Sequence, residues 1–251
     1  MRSNKLIETA KSRKPIINGW LTLGSPAIAE LMAHQPWDSL TIDMQHGFAD
    51  FETVVHMLRA ISTTDTVPLV RPPQLDSGLI GRLLDAGAYG VICPMINTED
   101  QCRKFVQACR YAPAGARSFG PTRATLYAGS DYPKHANENI LALAMIETRE
   151  ALDNLESIIN IEGLSGVYIG PADLSLSLGF DPIHDQTHPD LLAAYERILN
   201  VSTQAGKLVS MHCGTLQMVE AMSRFDFPML TVSNDSRLIV QGAGQLFEQL
   251  G

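Results

Sequence analysis

Two acidic residues, Glu147 and Asp173, each follow an apolar segment with the character of a buried strand, "ILALAMI" and "LSGVYIG". Packing alone does not explain an acid in such a place, because charged side chains are rarely buried without a partner. On neighbouring strands, about 4.8 Å apart, the two carboxylates would converge and repel each other. A divalent cation between them resolves the conflict, so we predict a metal site with Glu147 and Asp173 as ligands and Mg2+, Mn2+ or Co2+ as the ion.

Arg71 ends a third apolar segment, "TVPLVR", and brings a fixed positive charge to the same region. Its planar guanidinium is suited to an oxyanion or enolate that develops on a bound substrate. An alternative for either acid is an ion pair with Arg71 or a helix cap. Thr148 is a good N-cap for the next helix, which explains Thr148 but not Glu147.

The stretch "GVYIGPADLSLSLGF" turns a strand into a short helix at Gly170 and Pro171. Proline is well suited to the first turn of a helix, where its missing N–H costs nothing. The amide N–H groups of Ala172 and Asp173 then point away from the helix and form an anion pocket. We expect this pocket to hold a substrate carboxylate beside the metal.

Asp43 and His46 lie three residues apart in "LTIDMQHG", where another strand ends. A carboxylate that orients an imidazole makes a general acid/base unit, so we predict His46 as the catalytic base with Asp43 as its partner. A lone histidine is more often structural, but a strand-end aspartate before it and Gly47 after it favour catalysis. Trp20 and His212 end two further strands, and we expect both to contact substrate.

A second group of histidines and acids lies in "DPIHDQTHPD" and superficially resembles a metal cluster. Two histidines four residues apart aim at one ion only on a helix, and Pro182 and Pro189 favour a loop. No metal site is therefore predicted for Asp181, His184, Asp185, His188 and Asp190.

Strand-like and helix-like segments alternate along the whole chain in about eight β/α units. The strands are nearly continuous apolar runs, as expected for parallel strands covered on both faces. The pattern predicts a (β/α)8 barrel over residues 1–251 as one domain, with its chemistry at the C-terminal ends of the strands. A doubly wound open sheet is the alternative, weakened by the lack of G-x-G-x-x-G after the first strand. Residues 113–139 and 179–190 are expected to be irregular insertions.

Composition narrows the class of protein further. A formal net charge of −8 gives no electrostatic footprint for nucleic acid or an anionic membrane. No apolar run approaches the roughly 18 residues needed to span a bilayer. The four cysteines form no C-x-x-C pair, which predicts reduced thiols in a cytoplasmic protein. The basic first 15 residues lack a cleavage signal and are expected to contain an ordinary helix.

The motifs "LTIDMQHG", "PLVRPP", "IETREALDNL" and "GVYIGPADLSLSLG" together resemble the HpcH/HpaI aldolases, which are metal-dependent class II pyruvate aldolases. The likeness extends to "VICPMINTEDQC" and "RYAPAGARSFGP", so it covers almost the whole chain. It implies a modified barrel of the phosphoenolpyruvate/pyruvate type. It also implies a homo-oligomer, expected to be a hexamer, whose protomers exchange their last helix.

The resemblance also implies roles for individual residues. Glu147 and Asp173 would ligate the metal, which pyruvate chelates, and Arg71 would stabilise the enolate. His46 would act as the base, and the amides of Ala172 and Asp173 would hold the pyruvate carboxylate. Some relatives insert an acid across a subunit interface, and Asp85 matches that position here. Some relatives also have an acid directly before the catalytic histidine, where this chain has Gln45.

The function expected from these residues and the resemblance is reversible cleavage of 4-hydroxy-2-oxo acids to pyruvate, or a close 2-oxo acid, and an aldehyde. A CoA-ester lyase of the citrate-lyase β-subunit type, a 2-keto-3-deoxy-sugar-acid aldolase and a barrel without enzymatic activity are the alternatives. No lysine stands among the strand-end residues, since Lys207 begins its strand, which argues against a Schiff-base aldolase.

Overall fold

Eight parallel strands form a closed barrel in the computed structural model, which describes residues 1–12, 14–183 and 185–250. The strands follow one another around the barrel in chain order, and the first pairs with both the second and the eighth. The (β/α)8 prediction is therefore confirmed, and the open doubly wound sheet is wrong. The strands are β1 (Ile16–Leu21), β2 (Ser39–Asp43), β3 (Val67–Arg71), β4 (Gly90–Cys93), β5 (Leu141–Ile146), β6 (Gly166–Ile169), β7 (Leu208–Cys213) and β8 (Met229–Val232).

Helices surround the barrel and cover the outer faces of the strands, which explains why most strand residues are buried on both sides. The first seven are α1 (Lys5–Lys11), α2 (Pro26–Ala33), α3 (Phe51–Ile61), α4 (Ser77–Asp85), α5 (Glu99–Cys109), α6 (Thr122–Ala128) and α7 (Tyr132–Asn139). The remainder are α8 (Arg149–Asp153), α9 (Leu155–Ile159), α10 (Pro171–Leu178), α11 (Pro189–Gln204), α12 (Leu216–Ser223) and α13 (Asp235–Leu250).

Side chains that accept from the first free amides fix where many of the helices begin. Asp50 accepts from the Thr53 amide at the start of α3, and Thr148 accepts from the Ala151 amide at the start of α8. The cap predicted at Thr148 is thereby confirmed. Because α8 begins there, Glu147 is held between the end of β5 and a helix N-terminus.

The insertion at residues 113–139 is more regular than the sequence predicted, since its second half forms α6 and α7. Ala124 and Ala128 are buried on α6, and Tyr132 and Ala136 are buried on α7. The spacing of four places each buried pair on one face of its short helix, and the proline, glycine and asparagine nearby obscured this pattern. In the other insertion, residues 179–183 and 185–188 are irregular as predicted, and His184 lies outside the described residues.

The last helix, α13, differs from the others because its apolar side chains are not buried against the barrel. Its exposed members are Ile239, Val240, Leu246, Phe247 and Leu250. Asp235 at its start is buried and accepts from the Thr22 amide and hydroxyl and from the Leu23 amide, at 2.7–3.1 Å. The root of α13 is therefore fixed to the loop after β1, whereas its apolar face is uncovered.

No helix in the described part of the chain has the length and apolarity needed to cross a bilayer. The longest, α11 and α13, have 16 residues each.

Candidate active site

Arg71 and Asp43 form a buried bidentate ion pair at the C-terminal ends of β3 and β2. The register of the two strands puts the residues side by side. Arg71 Nε donates to Asp43 Oδ1 at 2.9 Å, and Arg71 Nη2 donates to Asp43 Oδ2 at 2.6 Å. Burial acts to raise the pKa of Asp43, but the hydrogen bonds and charge of Arg71 outweigh it and hold the pKa below its ordinary value. Asp43 is therefore a carboxylate that fixes the guanidinium.

The same carboxylate closes the loop that carries His46. Asp43 Oδ1 accepts from the backbone amides of Gln45, at 3.0 Å, and His46, at 3.3 Å. Gly47 is required for the turn, because a Cβ there would lie 2.2 Å from the Asp43 carbonyl oxygen. Among the described residues, Asp43 thus contacts the backbone of His46 and not its imidazole, which is exposed. The predicted Asp43–imidazole pair is corrected, because Arg71 and Trp20 already occupy the carboxylate.

Trp20 lies beneath Arg71 and connects several of the strand-end residues. Its indole N–H donates to Asp43 Oδ2 at 3.1 Å, and the Arg71 guanidinium lies over its ring at 4.9 Å. The rings of His212 and Tyr168 pack against it, at 5.1 and 5.6 Å between centroids. Trp20 is only 2% exposed, so it supports Arg71 from below and offers little surface to a substrate, contrary to the expectation.

Glu147 is the most unusual carboxyl group of the site. It is 1% exposed, and Oε1 accepts from the Met95 amide at 2.7 Å, whereas Oε2 is buried with no hydrogen-bond partner among the described residues. Burial raises its pKa to about 7; the Met95 hydrogen bond opposes this effect, and the negative charge of Asp173 adds to it. A buried acid with one unpartnered oxygen is suited to bind a cation, since cation binding would recover the desolvation cost.

Asp173 lies in the first turn of α10, directly after β6, which pairs with the end of β5. Its side chain is exposed and Ala172 is partly exposed, so both face the opening at the C-terminal ends of the strands. No group of three or more His, Cys, Asp or Glu that could hold a metal occurs in residues 1–12, 14–183 and 185–250. The carboxylates of Glu147 and Asp173 are hard oxygen donors, the kind of ligand that cations such as Mg2+ prefer.

Gly170 determines how closely α10 approaches Glu147. A Cβ at this position would lie 2.5 Å from Glu147 Oε2 and 3.0 Å from Met145 Cε. The turn from β6 into α10 therefore has room for the carboxylate because the residue is glycine. The Gly-Pro-Ala-Asp sequence thus shapes the predicted ligand site as well as the helix start.

Asp85 lies apart from these residues, at the C-terminal end of α4, which precedes β4 and is near the opposite end of the barrel. It accepts from Arg117 Nη2 at 2.6 Å, and Arg117 Nη1 donates to the Tyr132 hydroxyl at 3.0 Å. Asp85 thus pairs within its own chain. Its expected contact across a subunit interface stays a prediction.

Two contributors to the site were not predicted from the sequence. Met95 supplies the amide that holds Glu147, from a backbone position with φ of 55°. Tyr168 supports Trp20 and lies with its hydroxyl 3.1 Å from His212 Nδ1. A tyrosine inside the apolar run "GVYIG" was an available signal, because its hydroxyl needs a partner when buried. A backbone amide gives no signal in a sequence.

In the histidine-rich segment "DPIHDQTHPD", two of the described side chains make hydrogen bonds to backbone amides. Asp185 Oδ1 accepts from the Gly214 amide at 2.7 Å, and His188 caps α11 by accepting from the Asp190 amide at 3.3 Å. His184 lies outside the described residues. The metal cluster that the pattern superficially resembled does not form among the described ones.

These observations describe a closed (β/α)8 barrel with two carboxylates, Glu147 and Asp173, and a fixed arginine at the C-terminal ends of its strands. The chain belongs to the HpcH/HpaI aldolase/citrate lyase family, whose model matches residues 17–226. It is therefore an aldolase, a carbon–carbon lyase, and the resemblance predicted from its motifs is confirmed.

Similar proteins include several aldolases. The hydroxypyruvate/pyruvate aldolase of Rhizorhabdus wittichii is 40% identical over 97% of this chain and 97% of its own length. The 4-hydroxy-2-oxo-heptane-1,7-dioate aldolase of Salmonella paratyphi C is 36% identical over 99% of this chain and 95% of its own length. A crystal structure of a family member from Burkholderia cenocepacia J2315 has a TM-score of 0.92 at 30% identity, covering 99% of both chains.

Proposed function

We propose that the protein is a metal-dependent aldolase that reversibly cleaves 4-hydroxy-2-oxo acids into pyruvate, or a close 2-oxo acid, and an aldehyde. The observation that carries the proposal is the buried Glu147 with one unpartnered oxygen, electrostatically coupled to both Asp173 and Arg71. The relatives named as pyruvate and 4-hydroxy-2-oxo acid aldolases support this substrate class.

Glu147 and Asp173 would hold the divalent cation, with Mg2+, Mn2+ and Co2+ as the candidates. When bound, the cation would polarise the substrate carbonyl and balance negative charge that develops in the reaction. The choice of hard oxygen donors and the open positions around them support this group of ions.

The residues of the chain perform the remaining tasks. Arg71, held by Asp43 and Trp20, points its guanidinium at the charge that develops on the enolate oxygen. The amides of Ala172 and Asp173 at the start of α10 bind the carboxylate of the 2-oxo acid. His46 removes the proton of the C4 hydroxyl in cleavage and returns it in condensation, and its exposed ring is free to reach that group.

The proposal includes a homo-oligomer in which α13 packs on a neighbouring protomer, with a hexamer as the expected assembly. The uncovered apolar side chains of α13 support an exchanged helix, because a row of this kind in a monomer would remain in water. We take residues 1–251 as one domain. A cytoplasmic location is supported by four free cysteines, all buried, which suit a reducing compartment.

A CoA-ester lyase of the citrate-lyase β-subunit type is the second candidate, since it also uses an arginine and two acids. His46 at the end of β2 and the aldolases among the relatives favour the pyruvate aldolase. A 2-keto-3-deoxy-sugar-acid aldolase would use the same residues with a different aldehyde.

Exchange of the pyruvate methyl protons in deuterated buffer, followed by NMR, tests the proposal without knowledge of the aldehyde. Chelated protein should give no exchange, and Mg2+, Mn2+ or Co2+ should restore it. Glu147→Gln should abolish exchange, whereas Glu150→Gln, a matched change at an exposed position on α8, should keep it. If no metal gave exchange, pyruvate aldolase would give way to the CoA-ester lyase.

A further inference from the structure

A cavity of about 460 Å3 lies between the C-terminal end of α3 and the helix α6, away from Glu147 and Asp173. Because the helices run back along the barrel, the end of α3 is near the N-terminal ends of the strands, opposite to the candidate active site. Two arginines line the cavity, and no acidic residue in the described part of the chain does. The lining consists of Arg59, Ser62, Thr122, Arg123, Leu126 and Tyr127. In a chain of net charge −8, two guanidinium groups in one cavity need an explanation.

The guanidinium of Arg123 is fixed by the ends of two helices. Its Nη1 donates to the Ala86 carbonyl at 2.6 Å, and its Nη2 donates to the Leu58 carbonyl at 3.2 Å and to Ser62 Oγ at 3.0 Å. Gly87 leaves room for this group, because a Cβ there would lie 2.5 Å from Nη1. A guanidinium has five N–H groups, and these bonds use three of them. Arg123 therefore keeps two donors that have no partner among the described residues.

Arg59 has no structural role of this kind. It is exposed in the last turn of α3 and forms no hydrogen bond or ion pair with the residues that the structure describes. A cation there suits the helix dipole, but this weak effect does not require a second arginine beside it. Burial lowers the pKa of Arg123, and the charge of Arg59 lowers it further. Asp65, near the same end of the barrel, pairs instead with Lys5 at 2.7 Å and with Arg2 at 3.1 Å. The repulsion between Arg59 and Arg123 is therefore not balanced by a described acid.

The other side chains of the cavity add hydroxyl groups and an apolar surface. Ser62, Thr122 and Tyr127 bring the hydroxyls, and the Tyr127 ring lies 5.7 Å from the Arg123 guanidinium. Leu126, beside them, is 86% exposed. Guanidinium and hydroxyl donors without a carboxylate are the groups with which proteins bind phosphate and carboxylate anions. The chemistry of the lining therefore points to a negatively charged ligand.

We propose that this cavity, the Arg59/Arg123 site, binds a small-molecule oxyanion of the phosphate type. A phosphate group carries up to about two negative charges at pH 7 and offers three acceptor oxygens, which match two guanidinium groups and their unused donors. Arg123 supplies donors of fixed direction, and Arg59 supplies the second charge from the adjacent helix. The bound anion joins α3 to α6 and removes the repulsion between the two arginines. The site is separate from the candidate active site and does not rest on the proposed function.

Isothermal titration calorimetry of the full chain, with Mg2+ and excess pyruvate present, tests the site with inorganic phosphate as the probe. We expect one phosphate per chain at the Arg59/Arg123 site. Arg59→Gln should fold normally, because Arg59 is exposed, and should weaken phosphate binding about tenfold or more. Arg224→Gln is the matched control, since Arg224 is also exposed and has no ion pair among the described residues. No phosphate binding to the parent protein, or equal affinities of the two variants, overturns the proposal.

Thermal unfolding gives a second readout of the same site. Phosphate should raise the unfolding midpoint of the parent protein and of Arg224→Gln, and Arg59→Gln should lose most of this increase. Chloride at equal ionic strength is the control for screening, and an increase as large as that with phosphate overturns the proposal. Exchange of the pyruvate methyl protons should be the same in Arg59→Gln as in the parent protein. Failure of the proposed function would appear in the exchange experiment, whereas failure of the anion site would appear in the phosphate titrations.

Discussion

The burial of the Glu147 carboxyl group costs free energy of folding. Its carboxyl group is buried, one oxygen has an amide donor and the other has no partner among the described residues. In the metal-free protein, the neutral acid is therefore preferred up to a pH of about 7, against an ordinary pKa of 4.5. In the proposed site a divalent cation would compete with this proton for the same oxygen, so we expect metal affinity to increase as the pH rises towards 7.

The raised pKa predicts how the stability of the chelated protein depends on pH. Between about pH 4.5 and 7 the folded state binds a proton that the unfolded state has released, so the free energy of unfolding decreases as the pH rises. The decrease is about 3 kcal/mol in total, since one pKa unit corresponds to about 1.4 kcal/mol. Glu147→Gln should flatten this dependence in denaturant titrations, whereas Glu150→Gln should retain it. An equal slope in both variants would contradict the assignment.

Asp43 is the second residue whose role follows from its surroundings. Asp43→Asn removes the charge that pairs with a guanidinium of 9% exposure, so we expect a loss of about 3 kcal/mol in the free energy of unfolding. Metal-dependent exchange of pyruvate protons should slow by about tenfold or more, because Arg71 is less well fixed. Metal affinity, measured by calorimetry, should change little. An unchanged exchange rate would show that Arg71 keeps its position without Asp43.

At the scale of the elements, strand register brings the site together. Asp43 and Arg71 are opposite each other because β2 pairs with β3, and β5 and β6 place Glu147 near the start of α10. The turn at Gly170 then brings α10 within contact distance of the carboxylate. β3 and β5 show the pattern most clearly, because each is apolar throughout and has one charged residue at its C-terminal end or directly after it, Arg71 and Glu147.

Gly170→Ala tests this arrangement at the level of one turn. The added methyl group would lie 2.5 Å from Glu147 Oε2, so the carboxylate must move and metal affinity should fall by about tenfold or more. Gly81→Ala is the matched control, because a Cβ at that helix position has open space around it. Calorimetric metal titration checks both variants. Equal affinities for the two would place the ion away from Oε2.

Much of this arrangement was predictable from the sequence, because an apolar run that ends in a charge marks a strand end at a barrel mouth. Arg71, Glu147 and Asp173 were identified in this way. The side chain that pairs with Asp43 was not identified from the sequence. His46 is three residues from Asp43 along the chain and Arg71 is 28 residues away, and only the pairing of the strands shows that Arg71 is the partner. The hydrogen bond from the Met95 amide could not be predicted, because the residue type does not show which backbone N–H group acts as a donor. The helices α6 and α7 were missed because glycine, proline and asparagine obscured two short buried faces.

At the scale of the whole molecule, α13 is the helix whose apolar side chains remain exposed in a single chain. Phe247 is 70% exposed, and Ile239, Val240, Leu246 and Leu250 on the same helix are exposed as well. Phe247→Glu should therefore weaken the oligomer, and light scattering after size-exclusion chromatography should give a smaller mass at equal concentration. Gln245→Glu, which adds the same charge to an exposed position of the same helix, should leave the mass unchanged. A smaller mass in both variants would show that the added negative charge, and not the loss of the apolar Phe247 side chain, weakens the oligomer.

The start of α13, at Asp235, lies next to the loops of the candidate active site. Asp235 bonds to Thr22 and Leu23 directly after the strand that carries Trp20, and Thr22 in turn accepts from the amide of Phe48, two residues beyond His46. In the proposed oligomer, a neighbouring protomer that packs on α13 would therefore act on the loops next to Trp20, which supports Arg71, and next to His46. We expect a change that loosens such an assembly to disturb the geometry of the candidate active site as well.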